Sequence, residues 1–249
     1  MFAINHAATA LLLRRRFPEL PLSAALISVQ FVEFVWVLLN YLGIERTITE
    51  PVVRSIADIH LAHMPLSHSV VTTALFAVAG AAVAWRLTNR RVAMAIAAGI
   101  ASHLVLDVLT HNPDIAIVPF ISLGKLGTGL YALPAAAFAV ELTYGIFCWW
   151  YFHGSRSLLA VIVLFNFANL SIFFPSIPGP EHVFANRPML LVSVILAQIV
   201  ATLVLVGITA RSSKMSHHAQ RRPPSDGLSV DSGRDPGRES PLGRTAGGA

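Results

Sequence analysis

Apolar residues in this chain gather into six long blocks, near positions 20–43, 69–85, 92–109, 131–152, 157–174 and 189–210, separated by shorter stretches richer in Pro, Gly and charge. Each block comes close to the ~20 residues that carry a helix across a hydrocarbon core. The pattern predicts an all-α polytopic membrane protein with about six transmembrane helices. A seventh apolar piece, "FAINHAATALLL" at 2–13, is too short to span and lacks the small-residue cleavage site of a secretory signal. It reads as a re-entrant or interfacial segment.

Composition supports this class. The chain of 249 residues is 55% hydrophobic and only 12% charged, with a mean hydropathy of +0.65, outside the range of ordinary soluble domains. From Arg211 onward it turns to Ser, Pro, Gly, Arg and Asp, which cannot bury enough apolar surface to offset ordering entropy. The domain reading is therefore a membrane-embedded helical region over 1–210 and a disordered cytoplasmic tail over 211–249. The single Cys148, beside Trp149 and Trp150, excludes an intrachain disulfide and reads as core.

The net charge of +5 invites a nucleic-acid reading. However, the basic residues flank helices or sit in the tail instead of forming an aromatic-interleaved patch, so no nucleic-acid partner is expected. Their distribution orients the chain instead. Arg14, Arg15, Arg16, Arg86, Arg90, Arg91, Arg156, Arg211, Lys214, Arg221 and Arg222 fall on one side of a six-pass layout, and only Arg46, Arg54, Lys125 and Arg187 on the other. The positive-inside rule then gives both termini inside, in a bacterial cytoplasmic (inner) membrane, with the loops 44–68, 110–130 and 175–188 facing outward.

Those outward loops and the helix ends beside them hold most of the ionisable residues that need explaining, Asp58, His60, His63, His68, His111, Asp114 and His182. In "ASHLVLDVLTHNPD" (101–114), His103, Asp107 and His111 recur every fourth residue and share one helical stripe, with Thr110 beside it. Pro113 ends the helix near His111, placing Asp114 just past it. In "HMPLSHS" (63–69), Pro65 holds the segment out of helix and His68 opens the next one. That helix begins at the outer face and the His103 helix ends there, so the two sets share one depth and converge on an outer pocket.

Glu33, within "SVQFVEFVWVL", and Glu141, within "FAVELTYG", fall inside predicted helices. A carboxylate at the bilayer centre costs about 2.5–3.5 kcal/mol on insertion scales, so both turn inward toward a partner. Imidazole nitrogen and carboxylate oxygen are the ligands of Zn²⁺ and related ions, and a hydrolytic site needs about three protein ligands plus a place for water. The ligand set read from the sequence is His63, His68, His103 and Asp107, with Glu33 as the catalytic base or a further ligand. His6, His60, Ser67, His111, Asp114 and Glu141 stand as additional ligands or supports. His6 would reach an outer pocket only if its segment folds back among the helices.

Plainer roles compete. Ser67 and Ser69 are also ordinary helix caps, His153 reads as interfacial, and Glu181 with His182 lies in the Pro-rich "FPSIPGPEHVF", where a turn is the first expectation. His217 and His218 fall in the tail. Glu33 and Glu141 also suit a proton- or cation-coupled transporter or permease, and a non-catalytic membrane factor with a structural metal is a third class.

The motifs resemble the YdjM-like family of predicted membrane-bound metal-dependent hydrolases. The family's H-R-G-x-T-H-S element is matched by "HMPLSHS" without its R-G, its H-L-x-L-D-x-x-T element by "HLVLDVLT", and its early His before an aliphatic run by "NHAATALLL". A bacterial six-helix branch of that family is echoed by "SVQFVEFVW", "PLSHSV" and "SHLVLDVLTHNPD", with Glu33 where Asp is usual. The family's early P-D-x-D element is missing. The resemblance implies a divalent metal, zinc first, and hydrolysis of a phosphoester or lipid-like substrate by a protein whose other partner is the lipid bilayer.

Overall fold

The computed structural model describes residues 1–220, so most of the tail expected over 211–249, from 221 onward, lies outside the described residues. Among the described residues there are eight α-helices: α1 (Ala3–Arg16), α2 (Leu22–Tyr41), α3 (Val70–Leu87), α4 (Arg90–Thr110), α5 (Pro134–Phe152), α6 (Arg156–Ala168), α7 (Leu170–Phe173) and α8 (Pro188–Gln220). Five of them, α2, α3, α4, α5 and α8, are long and apolar enough to cross a membrane. The block expected at 157–174 is instead the thirteen-residue α6 and the single turn of α7, parted at Asn169, whose Nδ2 turns back to the carbonyl of Phe165 (2.7 Å). Helix α8 continues to Gln220, past the point where the composition changes at Arg211.

Two small antiparallel hairpins depart from the all-α expectation: β1 (Arg46–Thr49) with β2 (Ile59–His63), and β3 (Ile115–Val118) with β4 (Ile121–Leu126). Both lie in connections read from sequence as plain loops. Beyond the helix ends the backbone must find other hydrogen-bond partners, and short ladders supply them.

Local signals set the helix bounds. Ser69 caps α3 by accepting from the amide of Thr72, Asn89 caps α4 by accepting from Val92, and α4 stops at Thr110, where His111 turns extended ahead of Pro113.

The helices alternate in direction. Arg91 of α4 meets Glu19 at the start of α2 (3.1 Å), the Arg15 guanidinium lies over Tyr151 near the end of α5, and Ser155 before α6 bonds the carbonyl of Thr209 in α8 (3.3 Å). One end of the bundle therefore collects the basic residues. The hairpins and the histidine motifs occupy the other.

The largest departure is α1. Instead of lying at an interface or dipping in from the basic side, it runs through the middle of the bundle, with Met1 at the histidine end and Arg14–Arg16 at the basic end. Ala3, Ala7, Ala8 and Ala10 are buried, and such small side chains let neighbouring helices approach closely. Its Asn5 and Thr9 side chains are paired within the protein, as a low-dielectric surrounding requires. Asn5 reaches Asn166 (3.0 Å) and Glu141, and Thr9 reaches Tyr144 (2.8 Å). Toward the basic end α1 packs into the main apolar core, with Ile4, Leu11, Leu20, Val29 and Ile162 among its members.

Candidate metal centre

Asp107 is the hub. One helical turn above His103 on α4 and only 2% exposed, it meets three imidazoles from three separate segments. Its Oδ2 lies 3.1 Å from Nε2 of His103 and 3.5 Å from Nε2 of His68, and its Oδ1 lies 3.1 Å from Nε2 of His6. Glu33, on α2, brings Oε2 to 3.6 Å from His68 and 4.0 Å from His103. The Met1 nitrogen also approaches Oδ1 of Asp107 (2.7 Å) and Thr110 Oγ1 (2.9 Å).

The rings of His103 and His68 are oriented by their other nitrogens, whereas Nδ1 of His6 is buried with no hydrogen-bond partner among the described residues. Nδ1 of His103 faces the carbonyl of Val29 at 2.9 Å. A carbonyl only accepts, so Nδ1 carries a proton and Nε2 is the ring nitrogen turned toward the carboxylates. That Nε2 is buried with no hydrogen-bond partner among the described residues. Two acceptors 3.1 Å apart repel unless a cation or a proton sits between them.

His68 is set by a longer chain. Ser67 donates its hydroxyl to Oε2 of Glu45 (2.5 Å), so the 2.8 Å contact between Ser67 Oγ and His68 Nδ1 has the imidazole as donor. When this ring is neutral, its Nε2 is the lone-pair end. Glu45, 2% exposed, also takes the amides of Leu66 and Ser67, at 2.8 Å each, which fixes the loop holding His68. Imidazoles braced in this way by a carbonyl, or by a hydroxyl backed by a carboxylate, are typical of metal ligands.

The donor atoms form two triads that share His103, each small enough to hold a first-row ion. Ligands at 2.0–2.1 Å around a tetrahedral zinc lie roughly 3.3 Å apart. The donors of His6, His103 and Asp107 lie within 4.8 Å of one another, as do those of Glu33, His68 and His103.

The sequence-read residues divide cleanly. His68, His103, Asp107 and Glu33 come together, and His6 joins them because α1 folds into the bundle. His63 does not. It is exposed on β2, opposite Arg46 in the ladder, because Pro65 and the turn after the strand send the two histidines of "HMPLSHS" in different directions. His60 is also exposed on that strand and pairs with Glu50 (3.0 Å). Ser67 braces His68, and Ser69, not Ser67, caps α3.

His111 stands at the rim, 3.7 Å from Asp107 and 3.9 Å from Asp114. Glu141 lies outside the cluster. It is fully buried and takes donors from the Phe2 amide, Asn5 and the Tyr131 hydroxyl (2.9 Å). Burial, with Glu141 and Asp107 nearby, raises the Tyr131 phenol well above the ordinary tyrosine range, so it stays a donor.

A cavity of about 200 Å³ opens beside the cluster. Glu33, His68, His111 and Asp114 form its polar wall, and Ile59, Leu61, Ile172, Leu191 and Ile195 are among its apolar lining. Sequence reasoning missed Glu45 and Tyr131. Neither belongs to a local spacing pattern, and each reaches the site only through tertiary folding. No family model, curated protein or solved structure matches this chain.

Proposed function

We propose that the chain is a membrane-bound metal-dependent hydrolase acting on a lipid-like substrate, in keeping with the family its motifs resemble. The observation that carries this reading is the buried, unpartnered Nε2 of His103 aimed at Asp107, beside a His68 ring whose other nitrogen, like that of His103, is braced. His6, His68, His103 and Asp107 hold one divalent ion, zinc first. Such an ion polarises a carbonyl or phosphoryl oxygen and lowers the pKa of water. Glu33, the least buried carboxylate of the cluster at 16%, faces the cavity and serves as the base that accepts a proton from attacking water. The apolar lining excludes bulk solvent and holds a hydrocarbon portion of the substrate.

With the basic end at the cytoplasmic side of a bacterial inner membrane, as the positive-inside rule directs, the cavity faces outward and Met1 with it, so the N-terminus lies outside and not inside as charge counting alone gives. A carrier using the same acids is less well supported. Below the cluster the bundle is filled by Ile4, Ala7, Leu11 and Val29, and Glu141 is tied to its donors, not poised on a path.

The test is turnover of a panel of amphiphilic esters and phosphoesters by the purified, zinc-loaded protein in detergent. Glu33→Gln should keep the metal and lose turnover by at least about 100-fold, and Asp107→Asn should lose both. Turnover that persists in Glu33→Gln, or that chelator leaves intact, overturns the proposal.

A further inference from the structure

On a wall of the same cavity supplied by other elements lies a second polar group that the metal chemistry does not use. Glu181, in the turn Pro180–Phe184, is 7% exposed and lines the cavity with Asn169, Ser171 and Gln198. Its Oε1 accepts from the Ser171 hydroxyl. Gln198 donates to Asn169 (3.1 Å), so that pair is satisfied. No salt bridge to Glu181 exists among the described residues.

Gly179 makes room for this arrangement. A Cβ there would collide with both carboxylate oxygens of Glu181 and with the Ser171 hydroxyl, so the carboxylate folds back over a position only glycine leaves free. The hairpin is tied to the same turn, with Thr49 donating to the carbonyl of Phe184 (2.8 Å).

Charge decides what such a group receives. Glu33, Asp114 and Glu181 line the cavity, no lysine or arginine does so among the described residues, and the Met1 ammonium that also lines it is taken by Asp107 and Thr110. A largely buried carboxylate without a cation is costly unless a ligand supplies one. Trp36, lining the same cavity, keeps a buried indole N–H without a partner among the described residues, a donor for an oxygen acceptor on the same molecule. Apolar side chains lie between the polar walls.

We propose that Glu181 receives an ammonium group, and that the substrate is an amphiphile with a cationic amine on its polar part. This rests on the hydrolase reading for the word substrate, but the binding itself does not depend on metal or turnover. Specificity then comes from a charge-assisted bond at Glu181, separate from the reacting bond at the metal.

The experiment is equilibrium binding of n-octylammonium, octanol and octanoate to the full chain in zwitterionic nanodiscs, followed by intrinsic fluorescence, with empty nanodiscs as the partition control. Trp36 is the cavity reporter. The wild type should prefer octylammonium to octanol by about tenfold and bind octanoate least. Glu181→Gln, which keeps an acceptor for Ser171, should abolish the amine preference and leave octanol binding unchanged. Equal affinity for the three probes in the wild type overturns the proposal without any variant, as does a preference that survives Glu181→Gln. Metal content measured on the same preparations separates failure here from failure of the hydrolase reading.

Discussion

The imidazole of His6 lies flat on that of His103, with ring centroids 3.9 Å apart and planes within 12°. Residues 97 positions apart in the chain are thereby stacked at one carboxylate, each within 3.1 Å of Asp107. Both rings are completely buried. Two stacked imidazoles beside one carboxylate are at ease when each directs a lone pair to a shared cation.

The ligand set of the folded chain differs from the one read along it, and the difference is measurable. His6→Ala should weaken zinc binding by at least about tenfold, whereas His63→Ala should leave it unchanged, since His63 is exposed on β2. Competition with a chromophoric chelator gives both numbers. Equal losses in the two variants would contradict the arrangement.

Ser67 touches no metal position, yet it fixes the tautomer of His68 through Glu45. Replacing it with alanine should lower metal affinity by about 10- to 100-fold, as loss of such a brace does elsewhere, and Ser67→Thr should restore most of it. An unchanged affinity in Ser67→Ala would show that the chain from Glu45 is incidental.

Much of this centre is legible in the sequence. The four-residue step of His103, Asp107 and His111 follows from helical geometry, and Pro113 marks where α4 stops. His68 follows from the directions of α3 and α4. His63 misleads because spacing within "HMPLSHS" says nothing about the bend at Pro65. His6 is discounted because charge counting assumes that an apolar stretch of a dozen residues stays at a surface, whereas alanine packing and the bonds of Asn5 and Thr9 draw α1 into the interior. Glu45, 22 residues from Ser67, carries no local signature. The hairpins escape notice because four- to six-residue ladders in polar connections have too little alternation to distinguish them from loops.

Stability should depend on Glu141 through the donors it satisfies. Glu141→Leu strands the Phe2 amide and the Tyr131 hydroxyl and removes one partner of Asn5, at a cost of about 2–4 kcal/mol. Glu141→Gln keeps an acceptor and should cost less. Unfolding midpoints in detergent check the order, and a leucine variant as stable as the wild type would contradict it.

Close approach of α2 and α4 relies on Gly99, where a Cβ would overlap the side chain of Ser28. Gly99→Val should destabilise the fold by about 1–3 kcal/mol, measured in the same way, and Ser28→Ala should relieve part of that loss.

His68 gives the site a pH dependence. Burial pushes its pKa down, but hydrogen bonding to Asp107 and the charges of Glu33, Asp107 and Glu45 outweigh this, and the net shift is upward from 6.5. In metal-free protein the protonated ring therefore adds stability that is fully present below the unfolded value and lost as pH rises through the folded one. A divalent ion needs the neutral ring and binds more tightly over that same rise. The gap in unfolding midpoint between zinc-loaded and chelated protein should widen from about pH 6 to about pH 8. A gap that stays constant or narrows would contradict this.

The most direct test of the whole account is elemental analysis of the full-length protein, purified without chelator and dialysed against zinc, beside the variant His103→Ala. The wild type should hold about one equivalent of metal and the variant almost none, with the helical circular dichroism of the two unchanged. A metal-free wild type, or equal metal in both proteins, would contradict it.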